Sequence, residues 1–459
     1  MKIAFVAMSG TRAFDRELME FGLTLPGFVE RSKVIASLPS LGLLTLAGLT
    51  PSHHERAYLE VPDVDAFLAT DDGLDTLTGF DLAAISSYSA QIMDAYRLAD
   101  ALRRRGVIVV MGGLHVTALP HEAAAHCDAV VIGEGELCWT EVICDLEAGR
   151  VRPLYDVSAS EFDLALAPLP AFDLLEIERY NRLTVQTSRG CPHRCEFCAS
   201  SILLTKHYKQ KPAAKVLAEI DRICELWDKP FIEFADDNSF VNHTYWKSLL
   251  PQLAFRRVRW FTETDIAVAR DEELLELMRE SGCAQVLIGL ESPTRGALNK
   301  MELHGNWKYA QWPRYRESIR RIQSHGISVN GCFVVGLDEH DSSVFDEILR
   351  YVEELELAEV QVTIQTPFPG TPLYERLLRD RRILQPGAWW TCTLFDINYQ
   401  PAHMSVAELR TGFKELIGEL YSDERTRRRR ARFRSYLRTG RRLKPKLTTS
   451  GVAGGEGVS

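Results

Sequence analysis

Two successive runs of alternating strand and helix patterns, joined by a proline-bearing stretch, constrain this chain more than any other feature. In the first run, short and nearly continuous apolar segments at residues 2–7, 56–61, 82–86, 107–111 and 129–132 predict strands. Residues 41–49, 90–105 and 136–147 carry helical patterns. Strands without polar alternation, interleaved with helices, predict a parallel sheet covered on both faces. Residues 149–182, with Pro153, Pro168 and Pro170, show weak periodicity and predict a linker. The second run predicts strands at 183–187, 231–235, 258–263, 285–290, 328–335 and 359–366. Helices are predicted between them at 213–226, 245–255, 271–281, 309–325 and 342–355. Six such units predict a curved, barrel-like parallel sheet with its site at the carboxyl ends of the strands.

At 459 residues the chain exceeds one ordinary core, so two domains and a tail are expected. Apolar residues at 46% and charged residues at 25% suit a globular chain, and no apolar run reaches bilayer-spanning length. The apolar stretch in residues 1–7 is too short for a signal peptide and reads as a first strand, which predicts a cytoplasmic protein. Net charge is −9, yet twelve basic and no acidic residues fall between 425 and 446. Such a run can meet nucleic acid or an acidic partner. A solvated helix end leading into disorder is the expected reading, and nucleic acid is not an expected partner.

Ten cysteines in a chain of this size do not predict a disulfide scaffold. Cys127, Cys138, Cys144, Cys224, Cys283, Cys332 and Cys392 are scattered, mostly in apolar or helical contexts, and read as small core residues. Cys191, Cys195 and Cys198 differ: they stand at C-x3-C-x2-C spacing on one tight loop after the first strand of the second run. Three close thiolates favour zinc or an iron–sulfur cluster. A structural zinc needs a fourth ligand, and the only near candidate, His193, sits awkwardly inside the loop. A cubane held by three cysteines leaves one iron free to bind a substrate.

The loop Thr187-Ser188-Arg189-Gly190-Cys191-Pro192-His193-Arg194-Cys195-Glu196-Phe197-Cys198 resembles the signature of the radical S-adenosylmethionine (SAM) superfamily, with Phe197 at its aromatic position. The resemblance implies a [4Fe–4S] cluster on Cys191, Cys195 and Cys198, with SAM chelating the fourth iron. Electron transfer into SAM would then give methionine and a 5′-deoxyadenosyl radical. Further SAM contacts are implied at other strand ends. Asp236, Asp237 and Asn238 would face its amino group; Glu263, Glu291 and Ser292 would face ribose and carboxylate. Taken singly, such residues equally suit capping and turn roles. Residues 331–336 are expected beside adenine, and 367–372 resemble a motif of one subgroup.

In the first run, Ser86-Ser87, Gly112-Gly113-Leu114-His115 and Gly133-Glu134-Gly135-Glu136 close strands at the end where doubly wound sheets bind ligands. Glycine there lets a large ligand approach the backbone, although turns need glycine too. No G-x-G-x-x-G follows the first strand, which argues against a nicotinamide site. With Leu38-Pro39-Ser40-Leu41-Gly42-Leu43, these segments resemble the cobalamin-binding domain of one large radical SAM subgroup. D-x-H-x-x-G is missing, so cobalamin is expected without a lower histidine ligand. His115 is the alternative ligand, although a histidine satisfied by backbone is the expected reading.

The expected fold class is α/β: an N-terminal Rossmann-like doubly wound parallel sheet (1–148), the linker (149–182) and a partial (β/α)6 barrel of radical SAM type (183–380). A mainly helical C-terminal extension (381–436) and a disordered tail (437–459) follow. The resemblances imply a cobalamin-dependent radical SAM enzyme, most simply a methyltransferase acting on an unactivated carbon of a small molecule or lipid. An electron donor such as flavodoxin or ferredoxin would serve it. The substrate is expected at the domain interface, where residues 389–396 could line it, packing being the default for their aromatics. The same architecture supports cyclisation or oxidation without methyl transfer. A tRNA methylthiotransferase would need a second cluster in the first domain, where Cys127, Cys138 and Cys144 are poorly matched. A non-catalytic cobalamin or redox sensor would not need the SAM-facing strand ends.

Overall fold

A computed structural model describes residues 1–9, 13–15, 17–18, 38–69 and 71–442. Its first six-stranded parallel sheet contains β1 (Lys2–Met8), β2 (Glu55–Val61), β3 (Leu82–Ser86), β4 (Ile108–Gly112), β5 (Ala129–Ile132) and β6 (Leu154–Asp156). The strand order is β2-β1-β3-β4-β5-β6. Along β1, Ile3, Phe5 and Ala7 enter one apolar layer and Ala4, Val6 and Met8 the other. Both faces are buried, which is why the strand shows no polar alternation. Helix α1 (Leu41–Leu49) covers the first layer, α2 (Ile92–Arg104) the second, and α3 (Trp139–Glu147) returns to the first. Tyr374, Trp389 and Cys392 complete the second layer, so the C-terminal part of the chain packs into the first domain.

Two features depart from the sequence reading. Residues 154–156, expected in the linker, form β6 and pair with β5. Three residues carry no periodic signal; the neighbouring strand supplies the hydrogen bonds that define them. Two short helices, Val64–Leu68 and Asp71–Thr78, fill the connection before β3, the first capped by the Asp63 carboxylate. The five-residue helix is too short to display a helical period.

The second sheet contains β7 (Leu183–Val185), β10 (Phe231–Phe234), β11 (Arg259–Thr264), β12 (Cys283–Glu291), β13 (Ser328–Val335) and β14 (Glu359–Ile364). Between β7 and β10, β8 (Ser188–Arg189) pairs antiparallel with β9 (Lys209–Gln210). The order β14-β13-β12-β11-β10-β7 is sequential and parallel throughout. The outer strands β7 and β14 do not pair, so the barrel is partial. Helices α4 (Ala213–Leu226), α5 (His243–Ala254), α6 (Glu272–Glu280), α7 (Tyr315–Ser324) and α8 (Val344–Glu354) follow the strands. Where one helix is predicted over 309–325, a short helix Trp307–Gln311 and a tight turn precede α7. Pro313 lacks the N–H that a continuous ladder needs there.

The extension comprises α9 (Pro372–Arg379), α10 (Val406–Leu420) and α11 (Asp423–Arg442). Much of the basic run on α11 is paired within the chain. Arg430 meets Glu359 at 2.7 Å, Arg432 meets Glu353 at 3.1 Å, and the buried Arg429 donates to the Leu420 carbonyl. The helix continues to Arg442, beyond the expected boundary at 436; residues 443–459 of the expected tail lie outside the described residues. Among the described residues, no helix is long and apolar enough to cross a membrane.

Candidate active site at the cysteine loop

The cysteine loop leaves β7 and is anchored by the second and third residues after β10. The Asp236 carboxylate accepts from Thr187 N (2.7 Å), Ser188 N (2.9 Å), Ser239 Oγ (3.0 Å) and the Thr187 hydroxyl. Asp237 accepts from Gly190 N (2.8 Å) and the Ser200 hydroxyl. Gly190 has φ +92°, and a Cβ there would lie 2.9 Å from the His207 carbonyl, so the turn into Cys191 requires glycine. On the far side Glu196 N donates to Met301 O (3.0 Å) and Leu303 N to Arg194 O (3.1 Å). Arg376 then grips the Glu196 carboxylate at 2.8 Å and Asp338 at 2.5 Å. Phe197 packs against the barrel core.

The loop fits a cluster better than a single ion. Among the described residues, two groups gather three ligand atoms within 4.8 Å of one another, and the three thiols are not one of them. Thiolates sharing one zinc stand about 3.8 Å apart. His193, the fourth ligand the sequence suggests, stacks on Trp307 and places Nε2 2.9 Å from Asp265 Oδ2. Burial pushes the thiols up, Cys191 to about 11 and Cys195 to about 12, so iron binding must displace their protons. Ser201 N already points at the Cys198 sulfur, 3.5 Å away.

Several residues expected to face SAM are engaged by protein. Asp236 and Asp237 hold the loop's own backbone, as above. Asn238 donates to Asp265 Oδ2 at 2.8 Å. Ser292 Oγ lies 3.0 Å from His340 Nε2 and 3.1 Å from Thr294 Oγ1. Glu291, at φ +64°, pairs with the Lys308 ammonium beside Cys195, and burial notwithstanding, Lys308 is held above its usual range. Glu263 is different. It is open to water yet ringed by protein; that enclosure, then Glu233, Asp237 and Glu291, push it up to about 8. Tyr88, after β3, is 53% exposed yet similarly enclosed, facing Glu233 and Glu60. Glu233 of β10 thus faces both Tyr88 of the first sheet and Glu263 of the barrel.

The first sheet reverses direction between β1 and β3, and Ser86, Ser87, Gly112 and Gly113 stand at or beside that switch point. Small side chains there leave the backbone open, which fits a large flat ligand. The individual glycines also answer to packing. A Cβ on Gly113 (φ +106°) would lie 3.2 Å from Ser86 Oγ, and one on Gly133 (φ +93°) 3.1 Å from the Ser158 backbone; Gly135 meets nothing closer than 3.6 Å. His115 is buried, Nδ1 2.9 Å from Ser89 Oγ and Nε2 3.3 Å from Glu122 Oε1. Both nitrogens are engaged by side chains rather than backbone, so it is not a free axial ligand. Glu134 does not open toward a ligand either: it takes Arg189 Nη1 (2.5 Å), Lys209 Nζ (2.6 Å) and Phe162 N (2.7 Å). Arg189 also holds Glu136 at 2.9 Å, and despite burial this guanidinium keeps Glu136 below the usual carboxylate range. The sequence reading missed this knot, although Arg189 stands two residues before Cys191.

A three-thiol loop over a partial barrel, beside a doubly wound sheet with an open switch point, defines a radical SAM architecture with a second cofactor domain. Family models agree: the B12 binding domain matches residues 32–143, the Radical SAM superfamily 185–351, and a domain of unknown function (DUF4070) 371–452. The chain is 27% identical to bacteriochlorophyllide d C-12(1)-methyltransferase of Chlorobaculum tepidum over 84% of this chain and 83% of that one. It is 28% identical to hopanoid C-2 methylase of Rhodopseudomonas palustris over 81% and 70%. Its fold resembles the radical SAM methyltransferase TsrM of Kitasatospora setae, solved with cobalamin and a [4Fe–4S] cluster. The TM-score is 0.62 at 14% identity, covering 83% of this chain and 75% of that one. The chain belongs to the radical SAM enzymes that carry an N-terminal B12-binding domain. Its cofactors are a [4Fe–4S] cluster, SAM and cobalamin.

Proposed function

We propose that this enzyme methylates an unactivated carbon of a small molecule or lipid, as the names of its methyltransferase relatives suggest. When bound, SAM on the cluster supplies a hydrogen-abstracting radical, and cobalamin supplies the methyl group. Cys191, Cys195 and Cys198 would hold the cluster, with Asp236 and Asp237 fixing their loop. Residues around β3, β4 and β5 would seat cobalamin: Ser86, Ser87, Gly112, Gly113, Gly133 and Gly135. Glu263 remains the candidate to face SAM in the barrel.

The observation that carries this reading is the tie between the two cofactor loops. Arg189 of the cysteine loop is locked onto Glu134 and Glu136 of the loop after β5, which fixes the separation of two sites that must address one substrate. The substrate would lie between the two sheets, where Tyr88 of the first and Glu263 of the second both face Glu233. In our reading the domains are the first sheet through β6, the barrel, and a helical extension that closes over both. We also place the protein in the cytoplasm, reduced by a flavodoxin or ferredoxin.

The test is a panel of tetrapyrrole and hopanoid acceptors incubated anaerobically with enzyme, reductant and SAM deuterated in its methyl group. Label appearing on carbon in a product is the expected result. An acceptor altered by ring closure or oxidation, without label, would replace methyl transfer by the cyclase or oxidase reading.

A further inference from the structure

A second constellation lies at the opposite end of the first sheet. The turn after α1 is closed by His54 N donating to Pro51 O at 3.1 Å, and it presents two consecutive histidines just before β2. Their rings lie 4.0 Å apart. Glu147, the last residue of α3, meets both: its Oε1 is 3.5 Å from His53 Nε2 and 3.5 Å from His54 Nε2. All three atoms fall within 4.8 Å of one another.

These separations are too long for hydrogen bonds, which close to about 2.7–3.2 Å. They are close to the ligand–ligand edge of a tetrahedral zinc site, about 3.3–3.4 Å for nitrogen and oxygen donors. A second observation points the same way. The His54 side chain is 1% exposed, and its Nε2 has no hydrogen-bond partner although it faces this cluster. Buried polar atoms without partners are rare and call for a missing one. His53 and Glu147 are exposed, so a cation has a path in and water can take the fourth position.

We infer that His53, His54 and Glu147 form a binding site for a divalent cation of the zinc class. Two imidazoles and one carboxylate suit zinc and its borderline neighbours rather than calcium or magnesium, which prefer oxygen. The site joins the α1–β2 turn to the end of α3. It lies at the amino ends of the strands, whereas the cofactor loops lie at the carboxyl ends, so its role is to fasten the domain.

The test uses untagged holoenzyme, with its cluster and cobalamin in place so that the cysteine loop is occupied. Zinc chloride is titrated into wild type and into the exposed-residue double variant His53→Gln/Glu147→Gln. Wild type should bind one zinc more per chain than the variant, and zinc should raise the unfolding temperature of wild type alone. X-ray absorption at the zinc edge should show nitrogen and oxygen neighbours only. Equal zinc binding by the two proteins, no binding by wild type, or sulfur in the zinc shell would overturn the assignment.

Discussion

The carboxyl ends of the two sheets use their polar groups differently. At the barrel, Asp236 and Asp237 turn toward one loop and hold its backbone, so that three thiols are presented on a rigid arc. At the first sheet, Ser86, Gly112 and Gly113 contribute openness, while the charged Glu134 and the buried His115 are satisfied within the protein. The contrast follows from the ligands. A cluster is bound covalently by a few side chains and needs them fixed; a large corrinoid is held over an extended surface and needs room. Arg189 joins the two ends, carrying rigidity from the loop that needs it to the loop that does not.

The sharpest way to break the contrast is Cys195→Ser, which should abolish SAM cleavage and leave iron far below four per chain by chemical analysis. Retained cleavage would remove the rigid-arc account. Next, Asp236→Ala leaves the buried N–H groups of Thr187 and Ser188 unpaired, at about 1–3 kcal/mol each. Denaturant unfolding should show a loss of several kcal/mol, with poor cluster retention. Arg189→Ala leaves Glu134 and Glu136 without their guanidinium, at about 3 kcal/mol or more. Its proper readout is uncoupling: deoxyadenosine should form without a matching amount of methylated product.

A pH series gives a smaller effect. The folded Glu263 carboxyl is pushed up to about 8 from an ordinary 4.5, so its contribution is full below 4.5 and is lost as pH rises through 8. In cluster-loaded, SAM-free protein, wild type should lose thermal stability relative to Glu263→Gln as pH rises from about 4.5 to 8, and level off above that. Parallel curves would mean that Glu263 is solvated like a surface residue. Smallest of all, His115→Gln should leave the absorption spectrum of bound cobalamin unchanged; a spectral shift would restore His115 as an axial ligand.

The first parallel sheet was legible because buried strands are written as nearly continuous apolar segments, such as residues 82–86 and 129–132, and the second because strand-like runs alternate regularly with helical patterns. The cysteines were legible because spacing on one loop is a local property. What escaped notice is non-local. Residues 154–156 become a strand only because β5 lies beside them, and nothing in Glu134 announces a partner 55 positions away. The protein partners of Asp236 and Asn238 were hidden for a related reason: residue type and strand-end position select a polar group, but only packing decides which neighbouring loop it also holds.

The central claim, one radical site and one methyl-carrying site acting together, is tested most directly by counting nucleosides. Anaerobic enzyme loaded with iron, sulfide and hydroxocobalamin would be desalted, checked for bound cobalamin, and given SAM, reductant and an accepted substrate. The account predicts bound cobalamin, with 5′-deoxyadenosine and S-adenosylhomocysteine formed in near-equal amounts. Deoxyadenosine alone would leave a radical enzyme that does not methylate, and absence of both nucleosides from cluster-loaded protein would contradict the account outright.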